Sequence, residues 1–213
     1  MKIGRRNVLV AGVAAIAAGA ALVVRAFGGR KLTAAEKAAC ELTVPATSGP
    51  FHVSGVPELA AGNLNPTNLP GIPIEVSGRV FLGLGGSKPA AGAEVEIWHA
   101  DSDGAYHPNG NGPNTDYKPE EVALRGFVKA DAEGKYRFAS IYPGEYTGRA
   151  RHFHFKIRAP GQPELTTQLI VPAKPGDTLT FDSDDIAEGL PNCQLLSLDE
   201  TSSPAKATFD FRL

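Results

Sequence analysis

The chain has 213 residues, 42% of them hydrophobic and 21% charged, which is an ordinary globular make-up and enough length for one principal domain with a substantial core. A formal charge of −2, with no Lys/Arg-rich tract beyond the N-terminus, argues against a non-specific electrostatic grip on nucleic acid, so no nucleic-acid partner is expected. The only cysteines, Cys40 and Cys193, stand in neither a CxxC nor a Cys/His metal spacing, which argues against a cysteine-based metal site.

Residues 1–26 read as an export signal. Lys2, Arg5 and Arg6 precede an uncharged Ala/Gly/Val run from Val8 to Val24, and Val24-Arg25-Ala26 offers a small-residue cleavage site. The adjacent arginines and the modest apolar run favour a twin-arginine signal, with the Tat translocase as the partner during export. The expected location is periplasmic or extracellular, with membrane anchoring if the signal stays uncleaved. Removal of residues 1–26 takes the formal charge from −2 to −6. Residues 27–41 read as a linker with a short helix over Lys31–Cys40, where Thr33 and Glu36 have capping-box spacing. In an oxidising compartment Cys40 and Cys193 form one bridge; otherwise they are two buried thiols.

From residue 42 to 213 the chain reads as one domain of short alternating strands broken by Gly and Pro. Strands are expected at Ile74–Phe81, Ala93–Trp98, Leu124–Lys129, Gly134–Ala139, His152–Arg158, Leu165–Val171 and Ala207–Leu213. Asp131-Ala132-Glu133-Gly134 reads as a hairpin-type turn between two of them. Asn109–Lys118 is an irregular loop, and Asp182, Asp184 and Asp185 read as solvated acids because they lack the spacing of a calcium loop. The fold class is all-β, an antiparallel β-sandwich with long irregular loops.

The most informative segment is Tyr142–Phe155, YPGEYTGRARHFHF. On a strand, His152 and His154 share one face while Phe153 and Phe155 share the other, so two imidazoles can meet one metal. A His-x-His pair alone also fits two strand histidines at the surface. Arg149 and Tyr146 just upstream, in a turn built on Pro143 and Gly144, favour a site.

From about Leu42 to Val171 the sequence resembles the intradiol ring-cleavage dioxygenases, the family of catechol 1,2- and protocatechuate 3,4-dioxygenase. The matching pieces, in order, are Thr47-Ser48-Gly49-Pro50-Phe51, Gly78-Arg79-Val80, Val95 to Asp101 with Gly104-Ala105-Tyr106, and Arg125-Gly126. They continue through Asp131 to Tyr136, Ile141 to Tyr146, His152 to Phe155 and Thr166-Thr167-Gln168. The resemblance implies one non-haem Fe(III) per chain with Tyr106, Tyr146, His152 and His154 as ligands. Phenolate is a hard anionic donor suited to ferric iron. It also implies a catechol-type substrate, O2 as co-substrate, and a muconate-type diacid as product. Tyr146 is the ligand displaced by substrate, Arg149 supplies fixed positive charge to the ring, Gln168 assists nearby, and Gly49 and Pro50 line the cavity.

The Tyr146-to-His152 interval is shorter than in the soluble catabolic enzymes and looks like that of exported members. The long helical N-terminal region of the catechol 1,2-dioxygenase branch has no counterpart here, which leaves the oligomeric state open, a homo-oligomer included. Two other functions compete: a transthyretin-like binding module without catalysis, and a periplasmic copper or zinc protein using His152 and His154 with His99 or His107. His52 reads as a loop residue near the cavity mouth.

Overall fold

The computed structural model describes residues 40–213. The expected signal over 1–26 lies outside the described residues, as does all but the last residue of the helix over Lys31–Cys40. Twelve strands are described: β1 (Val53–Ser54), β2 (Pro73–Leu82), β3 (Lys88–Pro89), β4 (Glu94–Trp98), β5 (Gly112–Pro113), β6 (Arg125–Lys129), β7 (Lys135–Ile141), β8 (His152–Arg158), β9 (Leu165–Ile170), β10 (Ser197–Asp199), β11 (Ala205–Thr208) and β12 (Phe211–Arg212).

Strands β6-β4-β8-β9 form an antiparallel sheet. Strand β2 organises a six-stranded sheet, pairing with β7 and β3 antiparallel and with β11 and β12 in parallel; β10 pairs with β11. The two sheets face each other across one apolar core. Ile74, Val76 and Val80 of β2, Phe138 of β7 and Phe211 of β12 meet Val95 and Ile97 of β4, Phe153, Phe155 and Ile157 of β8, and Leu169 of β9. This is the β-sandwich expected from the alternation.

Two expectations are corrected. The Asp131–Gly134 turn does form: Asp131 Oδ1 accepts the N–H groups of Glu133 and Lys135, and Gly134 has φ +75°. It is not a hairpin, because β6 pairs with β4 while β7 pairs with β2, so the turn carries the chain from one sheet to the other. Local turn chemistry is the same in both cases; the strand partner is a long-range choice. The single strand expected over Ala207–Leu213 is two strands, broken where Phe209 and Asp210 leave the ladder. There the Phe209 carbonyl accepts the Tyr136 hydroxyl, and Asp210 accepts the Arg79 N–H.

A disulfide joins Cys40 to Cys193. The chain that follows it lies along β9: Ala46 N–H donates to the Thr166 carbonyl and the Thr167 hydroxyl donates to the Val44 carbonyl. Gln194, beside Cys193, accepts the Val44 N–H and donates to the Thr167 hydroxyl and the Gln168 carbonyl.

Candidate active site

The inner face of the four-stranded sheet is apolar apart from Thr167, so its other polar strand residues fall on the outer face. Register puts Arg125, Trp98, His154 and Gln168 in one transverse row across β6, β4, β8 and β9. All four are buried, because loops cover this face. Trp98 stacks on the His154 imidazole with ring centroids 5.0 Å apart and planes 5° from parallel. Gly49 lies on the same imidazole; at φ +66° it adopts a backbone that glycine favours, and a Cβ there would sit 3.2 Å from His154 Cε1.

His152 is two residues before His154 on the same strand face, and the two Nε2 atoms are 3.1 Å apart. His152 Nδ1 lies 2.6 Å from the Ala150 carbonyl; this contact assigns the proton to Nδ1 and leaves a lone pair on Nε2. Burial lowers the pKa of His152 to about 4 and that of His154 well below the usual imidazole range, so both rings are neutral at pH 7.

Two tyrosines join them from loops. Asp101 shapes the first, accepting the N–H groups of Asp103 and Ala105 on Oδ1, and its carbonyl accepts the Gly144 N–H. Gly104 fits against the second loop, at φ +86°, where a Cβ would run into the Glu145 carbonyl. Tyr106 follows directly. Its hydroxyl is 3.1 Å from His154 Nε2, and its ring stacks on Phe51 at 4.4 Å. In the second loop Tyr146 and Arg149 face each other across a two-residue turn, with the Arg149 N–H donating to the Tyr146 carbonyl. Thr147 and Gly148 both have positive φ, 34° and 77°, as a tight type I′-like turn requires. This compact turn is what makes the Tyr146-to-His152 interval short. The Tyr146 ring lies 5.3 Å from Tyr106 and 5.6 Å from His152.

The four residues Tyr106, Tyr146, His152 and His154 therefore converge. Neutral imidazole nitrogens and phenol oxygens pointed at one another suit a hard, oxygen-favouring cation, and the donor set fits ferric iron. Burial pushes the Tyr106 phenol far above its usual range, while the nearby Arg149 and Arg125 guanidiniums pull the other way. A metal cation at this point would favour its ionised form. Among the described residues no group of three His, Cys, Asp or Glu side chains comes together.

Arg149 is buried. Its Nε–H is shared between both oxygens of Asp184, at 2.9 and 2.8 Å, and Nη2 donates to Gln168 Oε1 at 2.6 Å. Gln168 Nε2 in turn donates to the Thr47 carbonyl at 2.7 Å. Pro50 is exposed beside Gly49, and its carbonyl accepts Asn111 Nδ2. Asn109–Lys118 is accordingly tied to the site's edge, with β5 paired to β1.

The other histidines turn elsewhere. His99 is buried between the Ser140 hydroxyl and the Ala100 carbonyl, both at 2.7 Å. His107 pairs with Asp101, and His52 pairs with Glu96 while its ring meets the edge of Trp98. The copper or zinc set that needed His99 or His107 is not assembled.

Two residues outside the expected set matter. Asp184 is completely buried against Arg149 and is not the solvated acid expected, whereas Asp182 and Asp185 are exposed. Arg125 is buried with three carbonyl acceptors, those of Phe51, His107 and Pro108, which ties the two loops flanking Tyr106. Arg125 opens β6 and stands in the Arg125-Gly126 piece of the resemblance, whereas nothing in the sequence marks Asp184. An open cavity of about 840 Å³ lies over β2, β7 and the disulfide, and none of the four converging residues lines it.

Residues 48–213 match the sequence pattern of a family described as Dioxygenase. The chain belongs to the intradiol dioxygenase family. As a family member it is 37% identical over 146 residues to 6-chlorohydroxyquinol 1,2-dioxygenase of Cupriavidus pinatubonensis, covering 60% of this chain and 50% of that protein. It is 35% identical over 160 residues to catechol 1,2-dioxygenase 2 of Acinetobacter lwoffii, covering 65% and 55%. The chain thus spans about half the length of these relatives. Among solved structures it is similar to the dioxygenase domain of a dioxygenase carbohydrate-binding protein fusion from Streptomyces sp. SirexAA-E. That match has a TM-score of 0.64 and 32% identity, and covers 81% of this chain and 97% of the other. An intradiol ring-cleavage dioxygenase from Tetranychus urticae shares the fold, with a TM-score of 0.68 at 19% identity.

Proposed function

We propose that this intradiol dioxygenase family member is an exported, non-haem Fe(III)-dependent enzyme. It cleaves catecholic rings between the two hydroxyl-bearing carbons with O2 to give muconate-type diacids. The observation that carries the reading is the convergence of His152 Nε2, His154 Nε2 and the Tyr106 hydroxyl, with contacts of 3.1 Å. Tyr106, Tyr146, His152 and His154 would hold one ferric ion, which when bound supplies a Lewis acid that keeps catechol oxygens ionised and makes the ring the electron donor towards O2.

The protein's own groups do the rest. Both imidazoles stay neutral, so neither competes for a substrate proton, and His152 is oriented by the Ala150 carbonyl. Tyr146 is the less buried tyrosine, so as the tyrosinate that would hold the ion its oxygen is the group that could take up a catechol proton and become the neutral phenol. Arg149 keeps a fixed guanidinium beside it, suited to negative charge developing on the ring. Gly49 leaves space beside His154, and with Pro50 it forms one wall. The Cys40–Cys193 bond favours an oxidising compartment and so supports the export reading.

The test is to express residues 27–213, supply iron under air, and record the visible spectrum before and after anaerobic addition of catechol. A red-brown protein whose band shifts with catechol, and which on admission of O2 yields the diacid by mass, supports the reading. Colourless protein carrying stoichiometric iron would exclude tyrosinate ligation and favour a non-catalytic binding module.

A further inference from the structure

Asp184 sits in an irregular segment far along the chain from the four converging residues, yet its side chain is completely buried and fully used. Both oxygens share the Arg149 Nε–H; Oδ2 also accepts the Ala150 N–H at 2.8 Å, and Oδ1 accepts the N–H groups of Ile186 and Ala187 at 3.0 and 3.1 Å. Burial alone would raise its pKa, but these donors and the guanidinium hold it below the usual carboxylate range. It is therefore a permanent anion on the inner side of Arg149.

An arginine side chain has several rotatable bonds, and a charge can act directionally on a substrate only if the guanidinium plane is fixed. Here Nε is held by Asp184 and Nη2 by Gln168, whose amide is anchored on the Thr47 carbonyl. Nη1 has no protein acceptor among the described residues. Through Ala150 the same carboxylate holds the backbone whose carbonyl orients His152.

We infer that Asp184 is the positioning residue for this site: it clamps the Arg149 guanidinium at Nε so that the free Nη1 edge is presented to a bound catechol. This rests on the ferric dioxygenase reading above. Asp177 provides a control, since it also holds an arginine of this stretch, accepting the Nε–H and Nη2–H of Arg151 on Oδ1, but has no contact with Arg149.

The experiment compares wild type, Asp184→Asn and Asp177→Asn in three measurements. These are the visible spectrum of the iron-loaded protein, kcat and KM for catechol at a temperature well below unfolding, and the Arg149 Nε–H resonance in the metal-free protein, assigned by its loss in Arg149→Lys. The expected result is a wild-type Nε–H signal that exchanges slowly. In Asp184→Asn the signal moves and exchanges fast, the tyrosinate band is retained, and kcat falls on the order of 100-fold with KM little changed. Asp177→Asn keeps both the signal and kcat.

An Asp184→Asn protein that keeps the band and a near wild-type kcat while only melting earlier would show a structural role and overturn the inference. So would a wild-type Nε–H that exchanges as fast as in a free arginine, a result available even where the variant does not fold. A wild type lacking the tyrosinate band overturns the ferric reading and with it the catalytic role of the clamp. The Nε–H signal then tells that failure apart from the absence of the clamp itself.

Discussion

Replacing both Cys40 and Cys193 by serine should cost stability without disturbing the folded site. The bond joins residues 153 apart in sequence, and closing a loop of that length removes about 5 kcal/mol of chain entropy from the unfolded state. A domain has only about 5–15 kcal/mol in total, so the loss is a large fraction of it. The folded state has other means of holding this stretch. Thr43 N–H donates to the Arg212 carbonyl, Arg212 N–H to the Thr43 hydroxyl, Val44 N–H to Gln194, Ala46 N–H to the Thr166 carbonyl, and Gln168 Nε2 to the Thr47 carbonyl. With these contacts intact, Thr47 and Gly49 stay at the site.

Urea unfolding of the metal-free protein measures the effect. With a slope of about 2–3 kcal/mol per molar, a loss of about 5 kcal/mol lowers the midpoint by about 2 M at unchanged slope. Below the transition, iron content and spectrum should match wild type. A midpoint shift under about 0.5 M would refute the loop-entropy argument. A normal shift with an altered spectrum would refute the claim that hydrogen bonds alone hold the segment.

Tyr106→Phe removes one hydroxyl contact, so the metal-free protein should lose only about 1 kcal/mol, while iron binds more weakly and the tyrosinate absorption changes in position and strength; an unaltered spectrum would exclude Tyr106 as a ligand. Gly49→Ala places a Cβ at φ +66° against His154, which should cost about 1 kcal/mol or more in urea unfolding and lower iron affinity measured by chelator competition. Acid sensitivity should follow from His99, whose pKa is about 4 when folded and about 6.5 when unfolded. Between these values the unfolded chain binds the extra proton, so His99 contributes a loss of about 3 kcal/mol as pH is lowered from about 6.5 to about 4, beside the losses from His152 and His154. Replacement by Asn should flatten that part of the curve, and parallel curves would count against the argument.

What was legible in the sequence was whatever repeats locally. Alternation located β2, β4, β6, β7, β8 and β9 to within a residue or two, and placed His152 and His154 on one face opposite Phe153 and Phe155. Register was not legible, because it is a choice between distant segments. Nothing near Gln168 announces that it lies opposite His154, and nothing near Asp131 says that its turn changes sheets. Asp184 shows the same limit. Between Asp182 and Asp185 it looks like one of three surface acids, and only the packing of its segment against Arg149 distinguishes it. Thr147-Gly148 was visible as a shortened interval, but its meaning, a turn that sets Tyr146 opposite Arg149, required the backbone.

The way the covering loops are held follows from what they must carry. A site made of imidazole, phenol, amide and guanidinium groups cannot be made rigid by filling it with leucines, since apolar packing would bury those groups without partners. Here the loops are tied by charge-assisted or covalent links. Arg125 fixes the carbonyls of Phe51, His107 and Pro108 on either side of Tyr106, Asp184 clamps Arg149, and the disulfide restrains the unfolded chain next to the segment bearing Thr47 and Gly49. The two arginine ties are directional and largely out of water, which makes them stronger than their surface equivalents and costly to break. The Asp184–Arg149 clamp differs from the others in one respect: its cation is itself the group that faces the substrate position. Breaking this tie would therefore move a charge as well as a loop.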